Sequence, residues 1–185
     1  GGPYTNEAVG AENYGTLAYI LESPQEKGVI WTGSDDGLVY LTRDGGKTWK
    51  NVTPNGLQEC LINAIEVSPH DPATAYIATT RYKFNDHTPG LYKTTDYGKS
   101  WTKITNGLPN NAFTRVIRED DQQKDLLFAG TELGLFISRD GGKDWRGGER
   151  CAAGAGLECQ RADGRLLADA GAAPVAYAGR EGGLQ

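Results

Sequence analysis

The chain has 185 residues, of which 19 are Lys or Arg and 24 are Asp or Glu, so its formal net charge is −5. This balance argues against a nucleic-acid-binding role, which needs a basic face to displace the counterions of phosphates. No apolar run is long enough to span a membrane, and three cysteines and two histidines show no metal-ligand spacing, so we expect no membrane span, no metal and no cofactor.

An eight-residue motif, called the box below, occurs three times along the chain. It reads TRDGGKTW at 42–49, TTDYGKSW at 94–101 and SRDGGKDW at 138–145. A Gly-apolar-aromatic stretch precedes each copy, and successive box aspartates are 52 and 44 residues apart. A repeat with this period is typical of stacked supersecondary units.

Alternating apolar residues bounded by turn residues predict four short strands in each repeat. One extra residue between Gly37 and Asp44 suggests a β-bulge in the first repeat. Four strands per unit of about 44 residues match a propeller blade. The predicted fold class is therefore all-β: a partial β-propeller of about three four-stranded antiparallel blades, followed by an irregular or disordered tail. We expect the strands at 16–21, 29–33, 39–42 and 48–52, then 63–67, 75–79, 91–94 and 100–104, then 114–118, 126–130 and 135–138 with a doubtful fourth.

The composition changes sharply after the third box. Residues 146–185 hold ten Ala and nine Gly but no Lys, Ser, Thr or Ile, which suggests a shifted reading frame and a disordered segment. An Ala-rich helix around 157–170 is the alternative. The predicted organisation is a lead-in at 1–13, blades at 14–57, 58–109 and 110–148 with a doubtful outer strand in the last, and a tail at 149–185.

The box is predicted to be a structural turn between the third and fourth strands of each blade. Aspartate can accept backbone N–H groups two residues on, the second glycine allows positive φ, and the closing Trp can pack between blades. We therefore favour a structural over a catalytic role for the box residues: Asp44, Gly46, Trp49, Asp96, Gly98, Trp101, Asp140, Gly142 and Trp145.

An insertion at 81–89 follows the second strand of the second blade, at the end opposite the boxes. Loops on rigid scaffolds often carry function, so this one is a candidate for contact with a protein or carbohydrate ligand. The alternative, which we favour from the sequence, is a surface loop that packs on a neighbouring blade. His70 lies in a turn by composition and is expected to be solvated. The candidate contact residues are Arg81, Tyr82, Phe84, Asp86 and His87.

The boxes resemble those of the Asp-box (BNR) repeat propellers. Segments 14–24, 28–39 and 91–101 look like those of large bacterial sortilin-like proteins, and the resemblance covers about residues 1–145. It implies a non-catalytic binding or scaffolding part of a longer exported protein, periplasmic or extracellular, whose remaining blades are partners of this chain. The alternative is a fragment of a xyloglucanase-like glycoside hydrolase whose catalytic acids are not in this chain. No residues match the arginine triad of sialidases, and the acids near strand ends have no partner identifiable from spacing: Glu22, Glu66, Glu119 and Glu132.

Overall fold

The computed structural model describes residues 15–147, which form three four-stranded antiparallel sheets. Within each sheet the strands are hydrogen-bonded in chain order. This meander is the arrangement of a propeller blade, and the predicted fold class is confirmed. The predicted lead-in and tail lie outside the described residues. The first sheet contains β1 (Leu17–Glu22), β2 (Ile30–Ser34), β3 (Val39–Thr42) and β4 (Lys50–Asn51); the second contains β5 (Leu61–Val67), β6 (Ala75–Arg81), β7 (Asp86–Thr94) and β8 (Thr102–Lys103); the third contains β9 (Thr114–Glu119), β10 (Leu127–Thr131), β11 (Gly134–Ser138) and β12 (Arg146–Gly147).

The sheets lie side by side, and each pair of neighbours encloses an apolar core. β5 contacts both β1 and β9, so the first strands form a shared edge. One core lies between the first and second sheets around Trp31, Ile65 and Ile77. The other lies between the second and third sheets around Leu91 and Ile117. Burying one such side chain contributes about 1.5–3 kcal/mol, so the faces between sheets hold the fold together.

The position of a sheet among the three decides how deeply its strands are buried. β6 is buried along nearly its whole length because a sheet packs on each of its faces. Among the described residues, β1 has a packed neighbour on one face only, and its Leu17 and Ile20 are exposed. An apolar face of this kind is expected at the first sheet of a stack.

An indole–carbonyl hydrogen bond connects the second and the third box to the outer edge of the preceding sheet. Trp101 Nε1 donates to the carbonyl of Val52 at 2.7 Å, and Trp145 Nε1 donates to that of Ile104 at 2.6 Å. The box glycine fits against the same residue, because a Cβ on Gly98 would come within 2.7 Å of Val52. The apolar residue three positions after one box tryptophan is therefore the docking point of the next box.

The predicted β-bulge in the first repeat is wrong. The β2–β3 register runs without a shift from Ile30 opposite Thr42 to Gly33 opposite Val39. The extra residue lies in the turn instead, where the Ser34 hydroxyl accepts a hydrogen bond from the Leu38 N–H at 3.0 Å. A four-residue connection at 35–38 can hold an added residue without disturbing the ladder.

The insertion at 81–89 is mostly an extended hairpin rather than a loop. Arg81 pairs with Asp86, so β6 and β7 run on past the length of the other hairpins. Only a one-turn 3₁₀ helix, Tyr82–Phe84, and Asn85 at φ 56° separate the two strands. The register shifts between Thr79 and Arg81, so the tip is joined to the ladder through the Arg81–Asp86 pair beyond this irregularity.

Replacing Trp145 by Phe is expected to lower the free energy of unfolding by about 2 kcal/mol, because buried area is lost and the Ile104 carbonyl loses its donor. The matched change at Trp49, whose side chain is 43% exposed, is expected to cost less than about 0.5 kcal/mol. Urea unfolding followed by circular dichroism measures both. Equal losses at the two positions would contradict the docking role of the buried tryptophan.

Candidate functional site

The sheets have two ends with different chemistry. Strands alternate in direction, so the turns after the first and third strands lie at one end and the turn after the second strand lies at the other. We call the first the box end; it comprises 23–29, 43–49, 68–74, 95–101, 120–126 and 139–145. The second, the hairpin end, comprises 35–38, 82–85 and 132–133.

In the first box the aspartate closes the turn through both carboxylate oxygens. Thr42 Oγ1 donates to Asp44 Oδ1 at 2.7 Å and accepts the Gly46 N–H at 3.0 Å. Asp44 Oδ1 accepts the Thr48 N–H at 2.9 Å, and Oδ2 accepts the Thr48 hydroxyl at 2.6 Å. The backbone N–H that donates to Asp44 therefore belongs to Thr48, four residues on. The predicted Asx-turn, in which this donor is two residues on, is wrong. The wider turn lets one carboxylate hold both sides of the loop.

The third box keeps this arrangement with one bond fewer. The second box matches the first: the Ser100 hydroxyl donates a hydrogen bond to Asp96 Oδ2 at 2.6 Å. In the third, Asp144 stands where the others have a hydroxyl residue. Asp140 Oδ1 accepts the N–H groups of Lys143 and Asp144 at 3.0 and 3.1 Å and the Ser138 hydroxyl at 2.7 Å. A carboxylate side chain cannot donate to Asp140, so Oδ2 lacks this partner.

These bonds favour the charged form of the box aspartates. The hydroxyl of Thr48 is the largest cause that lowers the pKa of Asp44 to about 2, and that of Ser100 lowers the pKa of Asp96 to about 2. The Ser138 hydroxyl likewise lowers the pKa of Asp140. A carboxylate ionised and engaged in this way is unsuited to act as a general acid at neutral pH.

A second backbone contact ties each box to the first turn of its own sheet. The N–H of the residue after the box aspartate donates to a carbonyl of that turn, as from Gly45 to Gly28 at 3.0 Å. In the second box this residue is Tyr97, with φ 58°, a conformation that usually favours glycine. Its phenol donates to Glu26 of the first sheet at 2.7 Å, and the Arg43 guanidinium lies 4.0 Å from its ring.

The box end carries further contacts between sheets that the sequence reasoning missed. His70, expected to be solvated, is half-buried, and its Nε2 lies 2.8 Å from the carbonyl oxygen of Asp120 in the next sheet. Gln25 takes the equivalent position in the first sheet, and its side-chain amide donates to the carbonyl of Pro69. Both residues stand two after a turn serine, and this shared offset is the signal that could have identified them.

A groove of about 350 Å³ lies at the box end between the second and third sheets. Its charged lining includes Lys93, Asp125, Asp140 and Lys143. Lys93 Nζ lies 3.2 Å from Asp125 Oδ1, and Asp140 is engaged in its own turn. The carboxylates of this groove therefore already have partners within the fold.

The hairpin end carries an aromatic and arginine cluster where the second sheet meets the third. The rings of Tyr82 and Phe113 stack with centroids 6.1 Å apart, and His87 lies 5.6 Å from Phe113. The Arg115 guanidinium lies 4.8 Å from the Phe113 ring and pairs with Glu132 at 2.7 Å. Phe113 is buried, whereas Tyr82 remains 42% exposed. One side of the hairpin tip thus packs on the neighbouring sheet.

The other side of the tip faces the first sheet. Arg81 Nε pairs with Asp86 Oδ2 at 2.9 Å, and Nη1 donates to the carbonyl of Glu59 at 2.7 Å. The Arg81 guanidinium lies 5.1 Å from the ring of Phe84, which is 38% exposed. The candidate contact residues therefore have contacts on both sides of the tip. Tyr82 and His87 contact Phe113, and Arg81 contacts Asp86 and Phe84.

The four candidate acids do not meet in one open cleft of the described residues. Glu22 lies at the box end, where it accepts the Gly28 N–H at 2.8 Å, and Glu132 lies at the hairpin end. Glu66 and Glu119 approach each other between the second and third sheets, where the Glu119 N–H lies 3.4 Å from Glu66 Oε1. Burial raises the pKa of Glu66, although its Oε2 lies 3.2 Å from Arg118. This pair is enclosed between sheets.

Residues 15–147 offer neither a metal site nor a membrane-spanning helix. This part of the chain holds no group of three or more His, Cys, Asp or Glu side chains placed to bind a metal ion. It also has no helix of the length and apolarity needed to cross a membrane.

The comparisons with known proteins agree with this geometry. The family model Sortilin-Vps10, described as sortilin, neurotensin receptor 3, matches residues 5–132. An oligoxyloglucan-reducing end-specific xyloglucanase of Emericella nidulans is 24% identical over 143 residues. That alignment covers 71% of this chain but 18% of the enzyme, so the chain spans less than a fifth of its relative.

Two solved structures share the fold at low sequence identity. YCF48 bound to D1 peptide superposes with a TM-score of 0.56 at 22% identity, covering 71% of this chain and 40% of that one. A GH74 enzyme of Niastella koreensis superposes with a TM-score of 0.57 at 22% identity, covering 73% of this chain and 22% of that one. The resemblance to sortilin-like Asp-box propellers is confirmed.

Because Asp144 replaces the hydroxyl residue of the other boxes, the pKa of Asp140 is predicted to differ from those of Asp44 and Asp96. Asp140 is expected to titrate at a higher pH than Asp44 and Asp96, and Asp144→Ser is expected to lower its pKa because a donor is restored. Thr48→Ala is the matched control and is expected to raise the pKa of Asp44. Carbon-13 NMR of the carboxyl groups measures all three. An Asp140 pKa unchanged by the added serine would contradict the assigned bond.

The same shifts set the acid stability of the fold. The folded pKa values of Asp44 and Asp96 lie below the unfolded value of about 3.9. Their contribution is therefore complete above the unfolded pKa and is lost as the pH falls towards about 2. Thermal unfolding measured between pH 5 and 2 tests this prediction. Over this range Thr48→Ala and Ser100→Ala are each expected to lose less stability than the parent chain.

Proposed function

This chain belongs to the Sortilin-Vps10 family, and on that premise we propose that it is a binding or scaffolding segment of a longer exported propeller protein, without chemistry of its own. Its propeller sheets are related to those of sortilin and of GH74 xyloglucanases. The observation that supports the proposal most is the contrast between the two ends. The box aspartates are engaged in turns, whereas the exposed side chains of Tyr82 and Phe84 lie at the tip of an extended hairpin.

The hairpin end has the composition of a contact surface. Aromatic and arginine side chains contribute disproportionately to binding because they bury much area and lose little conformational freedom. Tyr82 is stacked on one face by Phe113, which fixes its orientation before any ligand arrives. A preorganised side chain loses less entropy on binding.

The proposed ligand is a protein segment or a carbohydrate. YCF48 was solved with a D1 peptide, and the xyloglucanase relative acts on oligoxyloglucan. Both kinds of ligand have polar groups joined by flat apolar surfaces, which suit the exposed rings of Tyr82 and Phe84. The remaining blades of the parent protein are proposed to complete the surface, and export of that protein is part of the same proposal.

The competing function is a fragment of a propeller glycoside hydrolase. Such a reaction needs two carboxyl groups facing one sugar, about 5–10 Å apart. The Glu66 and Glu119 pair is the nearest approach among the candidate acids, but the sheets enclose it. We therefore place any catalytic acids of the parent protein outside this chain.

Ligand contact at the hairpin tip is tested by binding the purified full chain to a peptide array and a glycan array. Tyr82→Ala and Phe84→Ala are each expected to weaken any retained ligand by about tenfold, since buried aromatic contacts contribute about 1.4 kcal/mol or more. Leu133→Ala, which truncates an exposed apolar side chain at the same end, is the matched control and should leave affinity unchanged. Ligands equally insensitive to all three changes would refute the proposed contact site.

The absence of turnover is tested separately with xyloglucan oligosaccharides. The full chain is expected to release no more product than a variant with Gln at Glu22, Glu66, Glu119 and Glu132. Product above that control, abolished by changing a single one of these glutamates, would establish the hydrolase instead.

A further inference from the structure

A small cavity lies at the hairpin end between the first and second sheets. Its volume is about 20 Å³, and Glu59, Thr80 and Arg81 supply most of its polar lining. Thr80 is only 2% exposed. Within residues 15–147, neither Thr80 Oγ1 nor Glu59 Oε1, both buried atoms, has a hydrogen-bond partner. Other lining residues are Asp35, Leu61, Tyr82, Lys83 and Phe84.

Two unpaired buried oxygens beside one cavity are unusual, because buried polar atoms in folded proteins nearly all have partners. Arg81 donates from Nε to Asp86 and from Nη1 to the Glu59 carbonyl, and none of its N–H groups bonds either of the two oxygens. The cavity is large enough for a single small polar group. Such a group must donate at least one hydrogen bond, because a carboxylate oxygen can only accept.

The charge around the cavity favours a cation over a neutral donor. The Asp35 carboxylate accepts donors of Gly15 and Thr16 at 2.9 Å, and Arg81 pairs with Asp86 at 2.9 Å. Glu59 is thus the acid of the lining that has no ion pair or side-chain hydrogen bond in the described residues. Lys83 is the remaining cation of the lining, and it stands at the exposed hairpin tip. A primary ammonium has three donors and no acceptor, which matches a buried carboxylate oxygen and a hydroxyl.

We propose that this cavity binds a primary ammonium group, as presented by a lysine side chain of a protein partner. The exposed rings of Tyr82 and Phe84 stand beside the cavity, where they can cover the aliphatic stem of the lysine. Glu59 accepts the charged head group, and Thr80 accepts a second hydrogen bond. This inference rests on the proposed binding role of the hairpin end and assigns its ligand chemistry.

The test uses the full chain with n-butylammonium chloride as the lysine side-chain analogue and 1-butanol as its neutral counterpart. Nitrogen-15 NMR titration follows the backbone amides of Glu59 and Thr80 and the Nε–H of Arg81. We expect saturable shifts with butylammonium at millimolar concentration and none with butanol, since five heavy atoms rarely bind more tightly than about 1 mM.

Glu59→Gln keeps the size of the side chain and removes its charge, and it is expected to weaken butylammonium binding by about tenfold or more. Asp121→Asn removes one charge from an exposed box-end residue and is the matched control, with no expected change. Thr80→Val should also weaken binding, and Thr80→Ser should restore it. Near-ultraviolet circular dichroism checks that each variant remains folded.

Equal shifts with butanol, or binding that survives Glu59→Gln, would overturn the ammonium assignment. A chain that binds glycans or uncharged peptides through Tyr82 and Phe84, but not butylammonium, would refute this inference and leave the proposed function intact. A chain that binds butylammonium but shows no ligand sensitive to Tyr82 or Phe84 would refute the proposed function instead.

Discussion

The arrangement of the sheets depends on the bond between a box tryptophan and the preceding sheet. The indoles of Trp101 and Trp145 donate to carbonyls at 2.7 and 2.6 Å, and the box glycines leave room for the residues that carry those carbonyls. The aspartate of each box holds its turn in the shape that places the indole. One short motif therefore does two things: it closes a hairpin and it sets the position of the next sheet.

These two roles of the box explain why the box end and the hairpin end differ. At the box end, turns, Tyr97, Gln25 and His70 all make contacts from one sheet to the next. That end is stabilised as a unit, and its carboxylates have little capacity left for a ligand. The hairpin end also has contacts between sheets, as from Tyr82 to Phe113, but its insertion extends past the other hairpins. We propose ligand contact at that end because loops on a stable scaffold often carry function.

Local features and the packing of a box tryptophan between blades could be predicted from the sequence, but the partner residues of contacts between sheets could not. Three sheets with four strands each follow from apolar alternation and from turn residues, which act over a few positions. The fourth strand of the third sheet, at Arg146–Gly147, is paired with Phe136 and Ile137 although its sequence offers no apolar signal. The partner of Trp101, the contact of His70 and the cavity beside Thr80 involve residues far apart in the chain. The direction of the hairpin tip depended on Arg81 pairing with Asp86, which a loop composition does not reveal.

Hydrogen exchange of the tryptophan indoles tests the central claim most directly. In deuterated buffer, the Nε1–H signals of Trp101 and Trp145 should persist far longer than that of Trp49, since both are bonded to carbonyls between sheets and Trp49 is 43% exposed. Nitrogen-15 NMR of the full chain resolves the indole signals separately. Exchange of Trp101 and Trp145 as fast as that of Trp49 would contradict the account, because the sheets would then not be held together by these bonds.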